Sequence, residues 1–196
     1  MKRTFIASIC LIFVIILSAC GSEKTIPDKL DWKVQDFEAT NQDGETVSLS
    51  DLKGKVWIAD FIFTSCTSVC PPMTANMVKL QDKLKEADVP VEIVSFSVDP
   101  ERDTPDVRKK YITERGGDLS NWSFFGDYAF DYVKEISESS FKSMAAKPPE
   151  GNDQFSHGTS FFLVNQEGTI VKKYSGVQEV PYDTIVEHAK ILAEKE

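Results

Sequence analysis

Three patterns in the sequence predict an α/β fold with a central sheet, helices on both faces and an N-terminal β-hairpin. Two strongly apolar stretches, "KVWIADFIF" (55–63) and "VEIVSFSV" (91–98), are separated by a segment with helical spacing, the sequence form of a β-α-β unit. A second pair, "TSFFLV" and "TIVKKY", flanks "NQEG" and is followed by an amphipathic stretch. Ahead of both, "DFEATNQDGETVSLSDL" has two extended stretches around an Asp43-Gly44 turn signal, which makes the hairpin.

The order of elements begins with a segment that does not belong to the fold. Lys2 and Arg3 followed by the apolar run 5–17 have the charge and length of a signal peptide, too short to cross a bilayer comfortably as a helix. The run ends in "LSAC" (17–20), and small residues before Cys20 resemble the lipobox of bacterial lipoproteins, in which that cysteine is lipidated and becomes the new N-terminus. The expectation is a signal peptide over 1–19, a lipidated tether over 20–30 containing the polar "GSEKTIPDKL", and a single domain over 31–196. A lipid anchor would then hold the domain at the outer face of the bacterial cell membrane. Cys10 lies inside the apolar run and counts there as one more apolar residue.

Within the domain, 55–63 is rich in β-branched and aromatic residues without clean alternation, as expected of a strand buried on both faces. Pro71 and Pro72 suit the first turn of a helix, and Met73, Met77, Leu80 and Leu84 form an apolar stripe through to about Ala87. Residues 91–98 make the next strand; Thr104-Pro105 opens a helix that Gly116-Gly117 ends. A helix over about 128–139 is inserted next, 147–154 is an exposed loop, and the last helix starts at Pro181. The sequence therefore reads hairpin, β-α-β-α with an inserted helix, then β-β-α. With right-handed crossovers this arrangement suits a thioredoxin-like domain.

Charge and cysteine usage narrow the function. The 22 basic and 31 acidic residues give a net charge of −9, and losing Lys2 and Arg3 makes it −11. That excludes nucleic acid and an anionic membrane surface as electrostatic partners. Of four cysteines, Cys10 leaves with the signal and Cys20 is blocked by lipid, so Cys66 and Cys70 are the free thiols of an exported domain. Thiols are rarely left in that compartment without a use.

Three uses compete for the pair. A structural disulfide closing so short a loop restrains the unfolded chain little. A redox pair at a helix N-terminus is served by stabilised thiolate, although Cys-x-x-x-Cys departs from the usual Cys-x-x-Cys. As metal ligands the two soft thiolates favour copper(I) or zinc. His157, in "QFSHGTSFF", supplies a third donor if the strand beginning near Ser160 runs antiparallel to 55–63, because its loop then reaches the carboxyl edge where Cys66 and Cys70 lie. A Cys2His set suits copper in either oxidation state, the imidazole favouring copper(II). His188, on the polar side of the last helix, reads as a surface or hydrogen-bonded residue, and Met73 and Met77 as core.

"FTSCTSVCPPM", "SFSVDPERDTP" and "HGTSFFLV" together resemble the Sco/SenC family of membrane-tethered copper proteins, over a span from about Phe37 to the final helix. The resemblance implies a thioredoxin fold with copper ligands at Cys66, Cys70 and His157. It implies for Asp99, in "SVDP", a role beside the metal or in its transfer; a turn or helix-capping carboxylate is the alternative. It also implies assistance to assembly of the copper A centre of cytochrome c oxidase, copper passing by ligand exchange to thiolates of subunit II. This is a metallochaperone's role more than an enzyme's. The alternative is a thiol-disulfide oxidoreductase whose Cys66 and Cys70 reduce the cysteines of the oxidase copper site. A peroxiredoxin-like peroxidase is disfavoured, because no proline stands between Pro27 and Cys66.

Overall fold

The fold is built outward from one fully buried strand, as the β-branched and aromatic stretch 55–63 predicts. The protein is represented by a computed structural model that describes residues 25–194. In chain order the elements are β1 (Trp32–Lys33), β2 (Glu38–Thr40), β3 (Thr46–Ser48), β4 (Trp57–Ile62) and α1 (Cys70–Glu86). Next come β5 (Glu92–Ser97), α2 (Pro105–Thr113), β6 (Trp122–Phe125), α3 (Phe130–Ser139) and β7 (Ala145–Ala146). The chain finishes with β8 (Ser156–His157), β9 (Ser160–Val164), β10 (Thr169–Ser175) and α4 (Tyr182–Ala193). The central sheet has the order β1-β10-β9-β4-β5-β6, with β2 and β3 forming the predicted hairpin.

Strands β4, β5 and β6 are parallel, while β9 runs antiparallel to β4 and β10 antiparallel to β9. The antiparallel placement of β9 is the condition that brings the loop before Ser160 to the carboxyl end of β4. Alternation along the strands sorts the side chains between two faces. On one, Phe37, Trp57, Phe61, Phe96, Phe125, Phe141 and Phe162 form a linked set of ring contacts with centroids 5.1–6.4 Å apart. Ile58, Asp60 and Ile62 take the other. Helix α1 buries Met73, Met77, Leu80 and Leu84, all core residues as read from their spacing. It meets α2 through the Thr74 and Tyr111 hydroxyls, 3.1 Å apart, and α4 through the Tyr182 hydroxyl donating to Asn76 Oδ1 at 2.8 Å.

Three expectations are corrected. The helix over 130–139 is not a simple insertion, since "WSFF" ahead of it forms β6 and completes a further β-α unit. The strand is four residues long, and its outer edge is closed by a side chain. The buried amide of Gln42 accepts from Phe124 N–H at 2.7 Å and donates to the Trp122 carbonyl at 3.1 Å, doing the work of a neighbouring strand. Next, the domain starts ahead of residue 31: Ile26 is buried and Leu30 N–H donates to the Val171 carbonyl at 2.8 Å. Finally, His188 is not on the polar side of its helix but buried, and of the two readings it is the hydrogen-bonded one, with Nδ1 2.7 Å from the Tyr174 hydroxyl. The expected signal segment, with Cys10 and Cys20, lies outside the described residues. Among the described residues no helix is long and apolar enough to cross a membrane.

Candidate metal centre

The two cysteines stand where β4 hands over to α1, and a buried carboxylate fixes that corner. Asp103 accepts from Thr64 N–H at 3.2 Å, from the Thr64 hydroxyl and from the Ser97 hydroxyl at 2.5 Å, so it ties the end of β4 to the end of β5. The turn tightens with Cys66 N–H donating to the Phe63 carbonyl at 3.3 Å. Helix α1 then begins at Cys70, whose own N–H points at Cys66 Sγ, 3.3 Å away. Neither thiol is in a disulfide.

His157 comes from β8, which pairs with β7 so that His157 faces Ala145 across the ladder. Gly158 makes the close approach possible, because a Cβ there would lie 2.1 Å from Ser143 Oγ. The imidazole Nδ1 is 2.9 Å from the Gly158 carbonyl, an acceptor only, so Nδ1 carries the hydrogen and Nε2 keeps its lone pair. Nε2 lies 3.1 Å from Cys70 Sγ, and the ring stands edge-on to Phe63 with centroids 5.8 Å apart. Cys66 Sγ, Cys70 Sγ and an imidazole nitrogen all lie within 4.8 Å of one another, and all three residues are buried. Ligand atoms about 2.0–2.3 Å from a common ion are separated by at most about 4.6 Å, so this donor set fits a soft or borderline metal with only small adjustment.

The two sulfurs are electrostatically unlike. Burial pushes the Cys66 thiol up, but the neighbouring His157 and Cys70 side chains and backbone N–H groups outweigh it and bring the group to about 6. Burial first, then the neighbouring Cys66, pushes the Cys70 thiol far up. In the metal-free reduced protein this favours a Cys66 thiolate beside a Cys70 thiol.

The predicted residues thus converge, with Asp99 one step away. Asp99 is buried beside the site, where its carboxylate accepts from the Ser65 hydroxyl at 3.4 Å and pairs with Arg102. Its backbone carbonyl also accepts from Arg102 and Asp103 N–H groups, so it serves the turn after β5 as well. Sequence reasoning missed two carboxyls. Asp103 sits in a segment read only as a helix start. Asp60, the lone charge in "WIADFIF", is fully buried with Oδ1 accepting from Ser95 at 2.6 Å and Oδ2 without a partner among the described residues. Burial raises it to about 7, against the opposing pulls of the Ser95 hydroxyl and His157. Its isolation inside an apolar strand was the available signal.

A family model described as SCO1/SenC matches residues 27–193. The SCO1 protein homolog of Bacillus subtilis is 47% identical over 180 residues, 92% of each chain. A solved structure of BsSco, described as a member of the Sco family of cytochrome c oxidase assembly proteins with a disulfide switch, is 45% identical with a TM-score of 0.81, covering 88% of this chain and all of that one. The structure of Arabidopsis thaliana ScoI with copper bound is 26% identical with a TM-score of 0.68, covering 80% and 96% of the two chains.

Proposed function

The chain belongs to the SCO1/SenC family, and from that membership we propose that it binds copper and assists assembly of cytochrome c oxidase, with Cys66, Cys70 and His157 as the copper ligands. The observation that carries this reading is the His157 tautomer. With Nδ1–H committed to the Gly158 carbonyl, the Nε2 lone pair is left toward Cys70 Sγ, 3.1 Å away, and an imidazole nitrogen and both sulfurs lie within 4.8 Å of one another. Copper bound there would meet two soft sulfurs and one borderline nitrogen, a set compatible with both of its common oxidation states.

Membership supports the finer reading too. The domain would deliver copper to thiolates of subunit II at the copper A centre, held at the outer face of the membrane by lipid on Cys20. Thr67 and Ser68 are exposed beside the buried sulfurs, which gives an incoming thiol an approach from the Cys66 side. Asp99, through Ser65, would act on the turn that carries Cys66 and not on the metal itself.

One arrangement favours a second reading: Cys66 Sγ accepts from the Cys70 N–H at 3.3 Å, and its surroundings bring the Cys66 thiol down to about 6 while burial pushes the Cys70 thiol far up. Cys66 thiolate would attack a target disulfide, and Cys70 would then displace the target from the mixed disulfide. Two electrons pass to the target's cysteines and a Cys66–Cys70 disulfide remains.

A copper(II) titration of the reduced protein tests the first reading. The wild type is expected to bind one copper with a sulfur-to-copper charge-transfer band, and His157→Ala to lose affinity and shift the band; an unchanged titration refutes the three-ligand site. In cells, normal oxidase with His157→Ala together with failure of either cysteine variant supports the redox reading, which needs no imidazole.

A further inference from the structure

His157 reaches the cysteines at the end of a stretch, 147–155, that has no helix or strand of its own, so its position must be fixed by side chains. The residues just before it are fastened one by one. Asp153 receives the Arg102 guanidinium on its carboxylate at 3.1 Å and on its carbonyl at 2.6 Å. Phe155 packs on Phe63 and Phe130 with centroids 5.7 and 5.5 Å away. Between them, Gln154 reaches across to the turn that holds Cys66. Its Oε1 accepts from Thr67 N–H at 3.1 Å and from the Thr67 hydroxyl at 3.3 Å, and its Nε2 donates to the Ser65 carbonyl at 3.2 Å.

Cys66 is the residue between the two that Gln154 holds. We infer that Gln154 is a positioning residue of the metal centre: one side-chain amide fastens the histidine-bearing loop to the backbone on both sides of Cys66 and thereby sets the separation of imidazole and first thiol. A carboxamide suits the task, since it offers an acceptor to the Thr67 N–H and a donor to the Ser65 carbonyl from one rigid plane. The apolar anchor at Phe155 is independent of it, so the loop stays packed when the amide is removed and what is lost is the alignment of the third ligand. A ligand held in place before binding has less ordering to undergo when metal arrives, and metal then leaves more slowly.

The inference rests on the three-ligand reading, and its test is arranged so that each can fail alone. In the full chain, Gln154→Ala is compared with Gln154→Glu, which keeps the acceptor for Thr67 and loses the donor to Ser65. In the reduced, metal-free protein the alanine variant should keep the wild-type urea midpoint while Thr67 amide exchange quickens about tenfold, the glutamate variant lying between. With copper(II) bound, dissociation should quicken about tenfold in Gln154→Ala, with the charge-transfer band moved toward that of His157→Ala. Unchanged amide exchange overturns the fastening. Faster exchange with wild-type dissociation and spectrum, in a protein whose His157→Ala variant does differ, overturns the positioning role. If His157→Ala itself matches wild type, the ligand reading fails while amide exchange still decides whether Gln154 holds the loop.

Discussion

Asp60→Asn should abolish the pH dependence of one buried contribution to stability. Asp60 is wholly enclosed in β4, and burial is the main cause raising its carboxyl from 3.8 to about 7. Between about pH 4 and pH 7 the folded protein therefore keeps a proton that the unfolded chain has released, so this residue's contribution falls as pH rises through that window. Above it the folded state carries a buried carboxylate, and the gap between 3.8 and about 7 corresponds to a cost of about 4 kcal/mol. Asparagine has nearly the same shape and never ionises, which removes that cost. Its amide N–H groups enter a place where Oδ2 now has no partner among the described residues, and an orphaned donor there costs about 1–3 kcal/mol. The variant should be less stable than wild type near pH 4.5 and more stable by about 1–3 kcal/mol near pH 8, the curves crossing between. Urea unfolding of both reduced, metal-free proteins at the two pH values gives the comparison, and taking the difference largely cancels the surface groups. A difference in stability that does not change with pH means Asp60 is ionised throughout and refutes the reasoning.

Three further outcomes follow from the same geometry. Iodoacetamide should label Cys66 ahead of Cys70 in the reduced, metal-free protein, with a rate rising through a midpoint near 6 and moving up in His157→Ala; equal labelling of the two thiols, read by peptide mass, contradicts the assigned proton. Gly126→Ala would set a Cβ 1.6 Å from Nη1 of the fully buried Arg108, which donates to the Asp103 and Asn41 carbonyls and to Asp127, and denaturant unfolding should show a loss of about 3 kcal/mol or more. Asp103→Asn puts an amide donor opposite the Thr64 and Ser97 donors, so it should cost about 1–3 kcal/mol in unfolding and also perturb the copper(II) spectrum through the Cys66 turn.

What the sequence made legible divides along a physical line. β4, β5, β9, β10, α1 and α4 were readable because apolar spacing over a long enough run dictates both the element and its buried face. Cys66, Cys70 and His157 were readable because few residue types supply soft donors and an α/β topology says which loops share an edge. β6 escaped because "WSFF" is only four residues long and bounded by the turn residues Asn121 and Gly126, and the partner that closes its edge is Gln42, 80 or more positions earlier. Asp103 and Gln154 escaped for the same reason. Their effect comes from hydrogen bonds to backbone that folding brings near, and nothing in the local pattern of a polar residue announces such a target. Asp60 was visible as a charge in an apolar strand, but its proton depends on Ser95 and His157 from other elements.

The two prolines after Cys70 show how a local pattern and the chemistry of the site coincide. The first four N–H groups of a helix have no partner within it, and they are what makes a helix start attractive to an anion. In α1 those four positions are Cys70, Pro71, Pro72 and Met73, so two of the groups do not exist. Met73 N–H is taken by the Val69 carbonyl at 3.1 Å. The remaining one, Cys70 N–H, points at Cys66 Sγ. The added residue of Cys-x-x-x-Cys leaves Cys66 in the turn outside the helix, where its sulfur can receive that donor while Cys70 turns toward His157. In place of prolines, ordinary residues would offer further free N–H groups to water or to a passing anion. With them, the helix start has one free donor, and it is spent on holding Cys66 as a thiolate, the form that either a copper ion or a disulfide requires.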